Sequence, residues 1–444
     1  MGSPVLLLLL LLQALALATH VCDVRKPPYS AAGDNATEDT SALQRAIDAC
    51  AAQQREVVVP PGRYLIRPLQ LRNHSVLTLS PGATLVAWPD RATWPNASAS
   101  DKPCNIPGDG MPEQTYLPQQ QSLLWASHAT NITIRGAGSV DGQGWRWLGP
   151  LPGQSYSFWK MCRPRMVDIR NTTSVVLANF SILNAPCYNI NAHAVTDLEV
   201  AHLTIDSGCG YHYGPNTSAP NTDGINIAGT RIHIHDCTVR NGDDCVPVNA
   251  PSRDVLVERL RCECGNGLVP IIWEGTSAGD PWDIRTHGGN ITNVTFRDTT
   301  LSRTKLGITI KSLPMMTGTV QGITFENIVV DHVGTAILVD TMSQDNGGAG
   351  VAQLPADRRA TVGLGVMQVQ GITIRNLTGT ARVAGKFDCT QGSCSEIALS
   401  GVRLPATATY SCVGNVTGTA APGCVPTLPS CLRSDDATTP PPPL

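Results

Sequence analysis

Aromatic side chains make up only 5% of this 444-residue chain and charged ones only 15%. Scarcity of both fits a chain built from short Val/Ile/Thr-rich strands joined by Gly and Asn turns. A basic excess is also missing: 32 Lys and Arg stand against 35 Asp and Glu, a formal charge of −3. Without surplus cations to neutralise phosphates, nucleic acid is excluded as a partner. Long apolar runs are absent after the first eighteen residues, so no later segment reads as a membrane span. The length suffices for one large all-β domain or two ordinary ones, and burying a core poses no difficulty.

The chain opens with an apolar run from Val5 to Leu12 and a small-residue site at Ala16-Leu17-Ala18. That pattern predicts a secretory signal over 1–18, although no Lys or Arg precedes the run. A membrane anchor fits less well, because the run is short for a bilayer and lacks a basic stop. Secretion would expose the 15 cysteines to an oxidising compartment. Cys22 with Cys50, Cys245 with Cys262, and Cys389 with Cys394 are then expected bridges, with at least one thiol left over. A zinc site at Cys262-Glu263-Cys264 is disfavoured by its short spacing and the lack of a second pair. Asn-X-Ser/Thr sequons at Asn35, Asn73, Asn96, Asn131, Asn171, Asn179, Asn216, Asn290, Asn293, Asn376 and Asn415 are open to glycosylation.

From about Ser75 onward one design recurs. NITIRGAGSVDG (131–142), DLEVAHLTIDSG (197–208), RIHIHDCTVRNG (231–242), VQGITFENIVVD (320–331) and VQGITIRNLTGT (369–380) each begin with alternating apolar residues and turn at Asn, Asp or Gly. Repeats at roughly twenty to forty residues predict an all-β parallel β-helix rather than a sandwich. Residues 40–50 carry apolar positions at helical spacing, with Asp39 or Thr40 placed to cap the first turn. That helix would cover the open end of the solenoid, which repeat proteins need for solubility. VVVPPGRYLI (57–66) enters the first strand past a Pro-Gly turn. The expected organisation is a signal over 1–18, a single domain over 19–433 and a Pro-rich tail over 434–444.

Function concentrates in NTDG (221–224) and NGDDC (241–245), one short repeat apart. Stacked coils lie about 4.8 Å apart, so Asp223, Asp243 and Asp244 should share one face as a carboxylate cluster. Glycosidic hydrolysis needs such a cluster: one acid protonates the leaving oxygen and another, ionised, activates water. Crowded carboxylates cannot all ionise cheaply, so one keeps its proton near neutral pH. Taken alone, Asn-Gly-Asp-Asp also fits a solvated Asx turn.

AAGDNATEDTSALQRAIDAC (31–50), VVVPPGRYL (57–65), VDGQGWRW (140–147), Arg163-Pro164, LNAPCYNINAH (183–193), NTDG and NGDDC follow one another along the chain. In that order they resemble the landmarks of polygalacturonase-type enzymes, family 28 of the glycoside hydrolases, between about Val24 and Leu404. The resemblance implies a right-handed parallel β-helix of the pectin lyase-like kind with its N-terminal helical cap. It further implies no metal or organic cofactor, and inverting hydrolysis of pectic polysaccharide outside the cell or in the cell wall; separately, a monomer with no membrane partner is expected. By the same resemblance Asp243 matches the proton donor, Asp223 and Asp244 match the general-base pair, Asn221 matches a polar residue of the cleft, and Gly242 lets the chain turn closely under the sugar.

Three departures bear on substrate. Asn266 stands where the family has a histidine, Thr309 where it has an arginine, and the family's tyrosine has no counterpart in 336–345. An asparagine amide donates a hydrogen bond but cannot titrate. Loss of the arginine removes a fork suited to a uronate carboxylate, whereas Lys311 keeps one cation on the same strand face; a surface lysine lying along the sheet is the alternative for Lys311. The departures lead to two other readings: a degenerate carbohydrate-binding or wall protein, or a hydrolase of a substituted pectin such as rhamnogalacturonan. A calcium-dependent lyase is the third, with the aspartates on the cation. In the segment 270–289, Trp273 and Trp282 are candidates for stacking on sugar, Glu274 and Asp283 lie near the expected cleft, and Arg285 and His287 are candidate replacements for the missing cation and imidazole. His233 and His235 are expected to pack or to lie on the surface.

Overall fold

The computed structural model describes residues 21–97, 120–147, 163–209, 221–272, 289–312, 318–341, 367–427, 429 and 431–434. The segments expected to be a signal (1–18) and a tail (434–444, apart from Ser434) lie outside these, as do Trp273, Glu274, Trp282, Asp283, Arg285 and His287.

Alternating apolar residues become stacked columns. Val57, Leu77, Ile134, Leu177, Val200, Ile234, Val257, Phe296, Phe325 and Ile374 are successive partners in parallel register. A second column runs Leu85, Val140, Ile182, Ile205, Val239, Cys262, Leu301 and Val330. All of these residues are buried. Every named strand pairing is parallel and joins one coil to the next, so the architecture is a parallel β-helix with its core along the axis. Like side chains meet across rungs: the Phe296 and Phe325 rings stack with centroids 5.0 Å apart.

Corners fall where the sequence carries Asn and Asp. Asn131, Asp197, Asp254 and Asn293 occupy the left-handed region with φ of 57°, 60°, 58° and 53°. Short polar side chains tolerate that region and bond across the corner, as Asn293 Nδ2 does to Asp254 Oδ1 at 2.7 Å. Several sequon asparagines are therefore corner residues as well.

The helix Thr40–Ala52 forms as expected and buries Ala42, Leu43, Ala46, Ile47, Cys50 and Ala51, with Cys50 bonded to Cys22. Its capping differs from expectation. Asp39 occupies the N-cap position and its carbonyl accepts from Leu43 N–H, but its side chain makes no cap bond; the carboxylate accepts from Ala32 and Gly33 instead. Thr40 Oγ1 accepts from the Arg67 amide. Both side chains tie the helix to neighbouring loops. The solenoid also begins earlier than the repeats suggested: Val21–Asp23 already pairs with Glu56–Val59. No helix among the described residues is long and apolar enough to cross a membrane.

Cys22–Cys50, Cys245–Cys262 and Cys389–Cys394 are bridged, and Cys209–Cys264 and Cys412–Cys431 join them. Cys262 and Cys264 thus serve two separate disulfides, which removes them as a metal pair. Cys187, Cys237 and Cys424 are free thiols.

Candidate active site

One outward face of the coil carries the polar residues. Asp168, Asn191 and Asn226 are register partners on three successive strands, and further along Ile271 pairs with Lys311. The aspartates sit just before these strands. Asn189 N–H donates to Asp223 O at 2.9 Å, Gly224 N–H to Asp244 O at 2.9 Å, and Asn266 N–H to Asp243 O at 2.8 Å. Asp223 and Asp244 therefore occupy adjacent rungs.

The motif letters have local reasons. A Cβ on Gly224 would lie 2.5 Å from Cys245 O, so this rung can pack closely only with glycine there. Asn241 is fully buried and donates through Nδ2 to the carbonyls of Thr222, Asp243 and Asp244, at 3.1, 3.0 and 2.8 Å. It locks the NTDG turn onto the NGDD turn. Gly242 N–H donates to Thr222 Oγ1 at 3.0 Å.

A carboxylate oxygen from each of Asp223, Asp243 and Asp244 lies within 4.8 Å of the other two. Asp223 and Asp244 are 7% and 5% exposed, and Asp243 is the half-buried member. Asp243 accepts from the amides of Asn221 and Asp244, each at 2.8 Å, and from Asn266 Nδ2 at 3.3 Å. Asn221 itself sits at φ 57° and takes a bond from Arg163 Nη2 at 3.2 Å. Lys311 Nζ lies 3.3 Å from Asp244 Oδ2. Asp223 Oδ2 accepts from Asn226 at 3.2 Å, and Oδ1 is buried with no partner. Thr309, expected to bind substrate, is wholly buried with an unpartnered hydroxyl, so its side chain does not reach solvent.

Burial governs the titration of this cluster. It pushes Asp223 well above the usual carboxylate range, and the charges of Asp243 and Asp244 add to the effect. Burial also raises Asp244, to about 6, against the opposing pull of Lys311. Both groups bind protons more tightly folded than unfolded, so their contribution to stability falls as pH rises from the unfolded carboxylate value of about 4 through the folded values. We expect Asp223→Asn to gain melting temperature relative to the native chain as pH rises over that window. Scanning calorimetry across pH checks this; a variant as pH-sensitive as the native chain would contradict it.

The three carboxylates could in geometry hold a divalent cation. The donor set argues otherwise: the Lys311 ammonium already stands against Asp244 and competes for its charge.

Three contributors were not legible as site residues in the sequence: Asn226, which bonds Asp223; Asn241, which ties the two turns; and Tyr188, one rung before Asp223. A polar residue interrupting the apolar strand INIAG was the available signal for Asn226. His233 and His235 pair with Glu258 and with Glu199 and Asp236, apart from the aspartates.

Residues 98–424 match the family described as Glycosyl hydrolases family 28, and residues 27–81 match one described as Rhamnogalacturonase A/epimerase, pectate lyase-like. A polygalacturonase of Persea americana is 24% identical over 84% of this chain and 71% of its own length. A probable polygalacturonase of Vitis vinifera is 28% identical over 53% of this chain, which spans about half, 48%, of that relative. Among solved structures, the polygalacturonase from Erwinia carotovora ssp. carotovora superposes with a TM-score of 0.65 at 23% identity, covering 86% of this chain and 94% of that one. That likeness bears on the fold.

Proposed function

The chain belongs to family 28 of the glycosyl hydrolases, and from that membership we propose that it is a secreted glycosidase that hydrolyses the α-glycosidic bonds of pectic polysaccharide with inversion. The observation that carries the reading is the convergence of Asp223, Asp243 and Asp244 within 4.8 Å, with Lys311 behind Asp244.

Exposure and burial divide the labour. Asp243 is the least buried of the three and can present a proton to the glycosidic oxygen. Asp223 and Asp244 lie deeper and together hold the water. As the bond between the anomeric carbon and the leaving oxygen breaks, that oxygen takes the Asp243 proton. The water adds to the anomeric carbon and leaves its own proton on the buried pair. In the ligand-free protein burial favours Asp223 as a proton holder, so the assignment of Asp243 as acid rests on its access to the groove and on the family pattern. Asn221 and Asn266 fix the Asp243 carboxyl group. The buried side of the ion pair, rather than Thr309, supplies the cation at this point. Formation of five disulfides among the described residues supports an oxidising, extracellular destination.

Retention is the competing mechanism, and the product anomer separates the two. Separations near 5 Å characterise double displacement with retention, and wider gaps of about 6.5–9.5 Å characterise inversion. Inversion puts the attacking water between Asp223 and Asp244, with Asp243 as the separate acid. Incubation with polygalacturonate should release reducing ends without ultraviolet-absorbing unsaturated sugars, unaffected by chelator, and proton NMR should show the β-anomer formed first. Unsaturated products would overturn hydrolysis, and a first-formed α-anomer would overturn inversion.

A further inference from the structure

The stacked rungs continue to the N-terminal side of the aspartates. Met166 N–H donates to Tyr188 O, and Asn189 N–H to Asp223 O, so Arg165, Tyr188 and Asp223 follow one another on consecutive rungs. Arg165 Cζ lies 5.4 Å from the Tyr188 ring centroid, with the guanidinium over the ring. The Asp223 charge, after burial, helps push the Tyr188 phenol well above its ordinary value, which places the ring within electrostatic reach of the cluster.

Asp168 anchors this arrangement. Its carboxylate accepts from Arg165 Nη1 at 3.0 Å, from Arg170 Nε and Nη2 at 3.1 and 2.9 Å, from Asn191 at 2.8 Å and from Ser122 at 2.9 Å. The two guanidiniums beside it hold Asp168 far below the ordinary carboxylate range against the cost of burial, so it stays ionised. One carboxylate is thus shared between Arg165 and Arg170. Arg165 spends one of a guanidinium's five donors on it, and its Nε–H is buried without a partner. The side chain remains 15% exposed. Nε is closed to a ligand, and the donors left for one are those of the terminal nitrogens; a guanidinium already held in place binds a carboxylate with little further ordering cost.

On the opposite flank the column of Lys311 continues through Asp340 and then Asp388, with Lys386 two residues from Asp388. We propose that Arg165, laid on Tyr188 and anchored by Asp168, is a subsite for the carboxylate of a uronic-acid sugar bound about two rungs, roughly 10 Å, to the N-terminal side of Asp223. The proposal rests on the pectic reading above, and it names where the specificity for acidic sugar lies when position 309 is a buried threonine.

Binding separates it from turnover. In the Asp243→Asn protein, calorimetric affinity for an oligogalacturonate should fall about tenfold on Arg165→Met, and affinity for the same oligomer reduced to neutral galactose should not change. Arg165→Lys should recover part of the loss at low salt. Equal losses for both ligands, no loss for the acidic one, or no binding of the acidic oligomer before Arg165 is changed would each overturn the subsite. Hydrolysis by the native chain is scored separately, by product release, so failure of the catalytic reading is distinguishable.

Discussion

Asp243→Asn should lower kcat on polygalacturonate by about a thousandfold or more, the scale of losing a positioned general acid, and leave the melting temperature within a few degrees of native. The side chain is the half-buried one of the three, and its amide analogue can still accept through Oδ1 from the Asp244 and Asn266 N–H donors, losing only the bond that Asn221 N–H makes to Oδ2. Folding should therefore survive where chemistry does not. A substrate whose leaving group needs no proton, such as an aryl glycoside with a nitrophenolate leaving group, should recover most of the lost rate. If Asp223→Asn rather than Asp243→Asn shows that rescue, the acid and base roles are exchanged. Undiminished turnover in Asp243→Asn would remove it from the chemistry altogether.

Lys311→Met should move the acid limb of the kcat/KM profile to higher pH. Lys311 Nζ stands 3.3 Å from Asp244 Oδ2, both side chains being almost fully covered. Burial raises Asp244 to about 6, and the lysine is the largest influence in the opposite direction. Removing it leaves a buried carboxylate without its cation, so ionisation becomes harder and the proton is held to higher pH. If Asp244 must be ionised to help activate water, activity at pH 5 should fall by about a hundredfold and recover in part on alkalinisation, with about 3–5 kcal/mol of stability lost. Lys311→Arg should restore part of the limb. A profile with an unmoved limb would show that Asp244 does not titrate in the reaction.

Much of this chain was legible before any coordinates. Alternating apolar runs closed by Asn, Asp or Gly specified a parallel β-helix, because each coil has the same need to bury one face and to turn at a left-handed corner. The helix over 40–52 was legible from its apolar spacing, but its capping was not, since the Asp39 carboxylate answers the amides of Ala32 and Gly33 rather than those of the helix. Asp223, Asp243 and Asp244 were legible because two short motifs lie one coil apart. Asn226, Asn241, Tyr188 and Arg165 were not, since each takes its role from neighbours on other rungs. Arg163 meets Asn221 across 58 positions, and Lys311 meets Asp244 across 67.

Sequence alone determined the period, the apolar faces and the presence of three carboxylates, all of which are local properties repeated along the chain. Only the tertiary structure decided which rung stands beside which after loops of unequal length. It thereby decided that Thr309 is buried while Lys311 reaches Asp244, and that a guanidinium lies two rungs before Asp223. The physical reason is that desolvation and charge pairing act through space over a few ångströms, a distance that sequence separation does not encode.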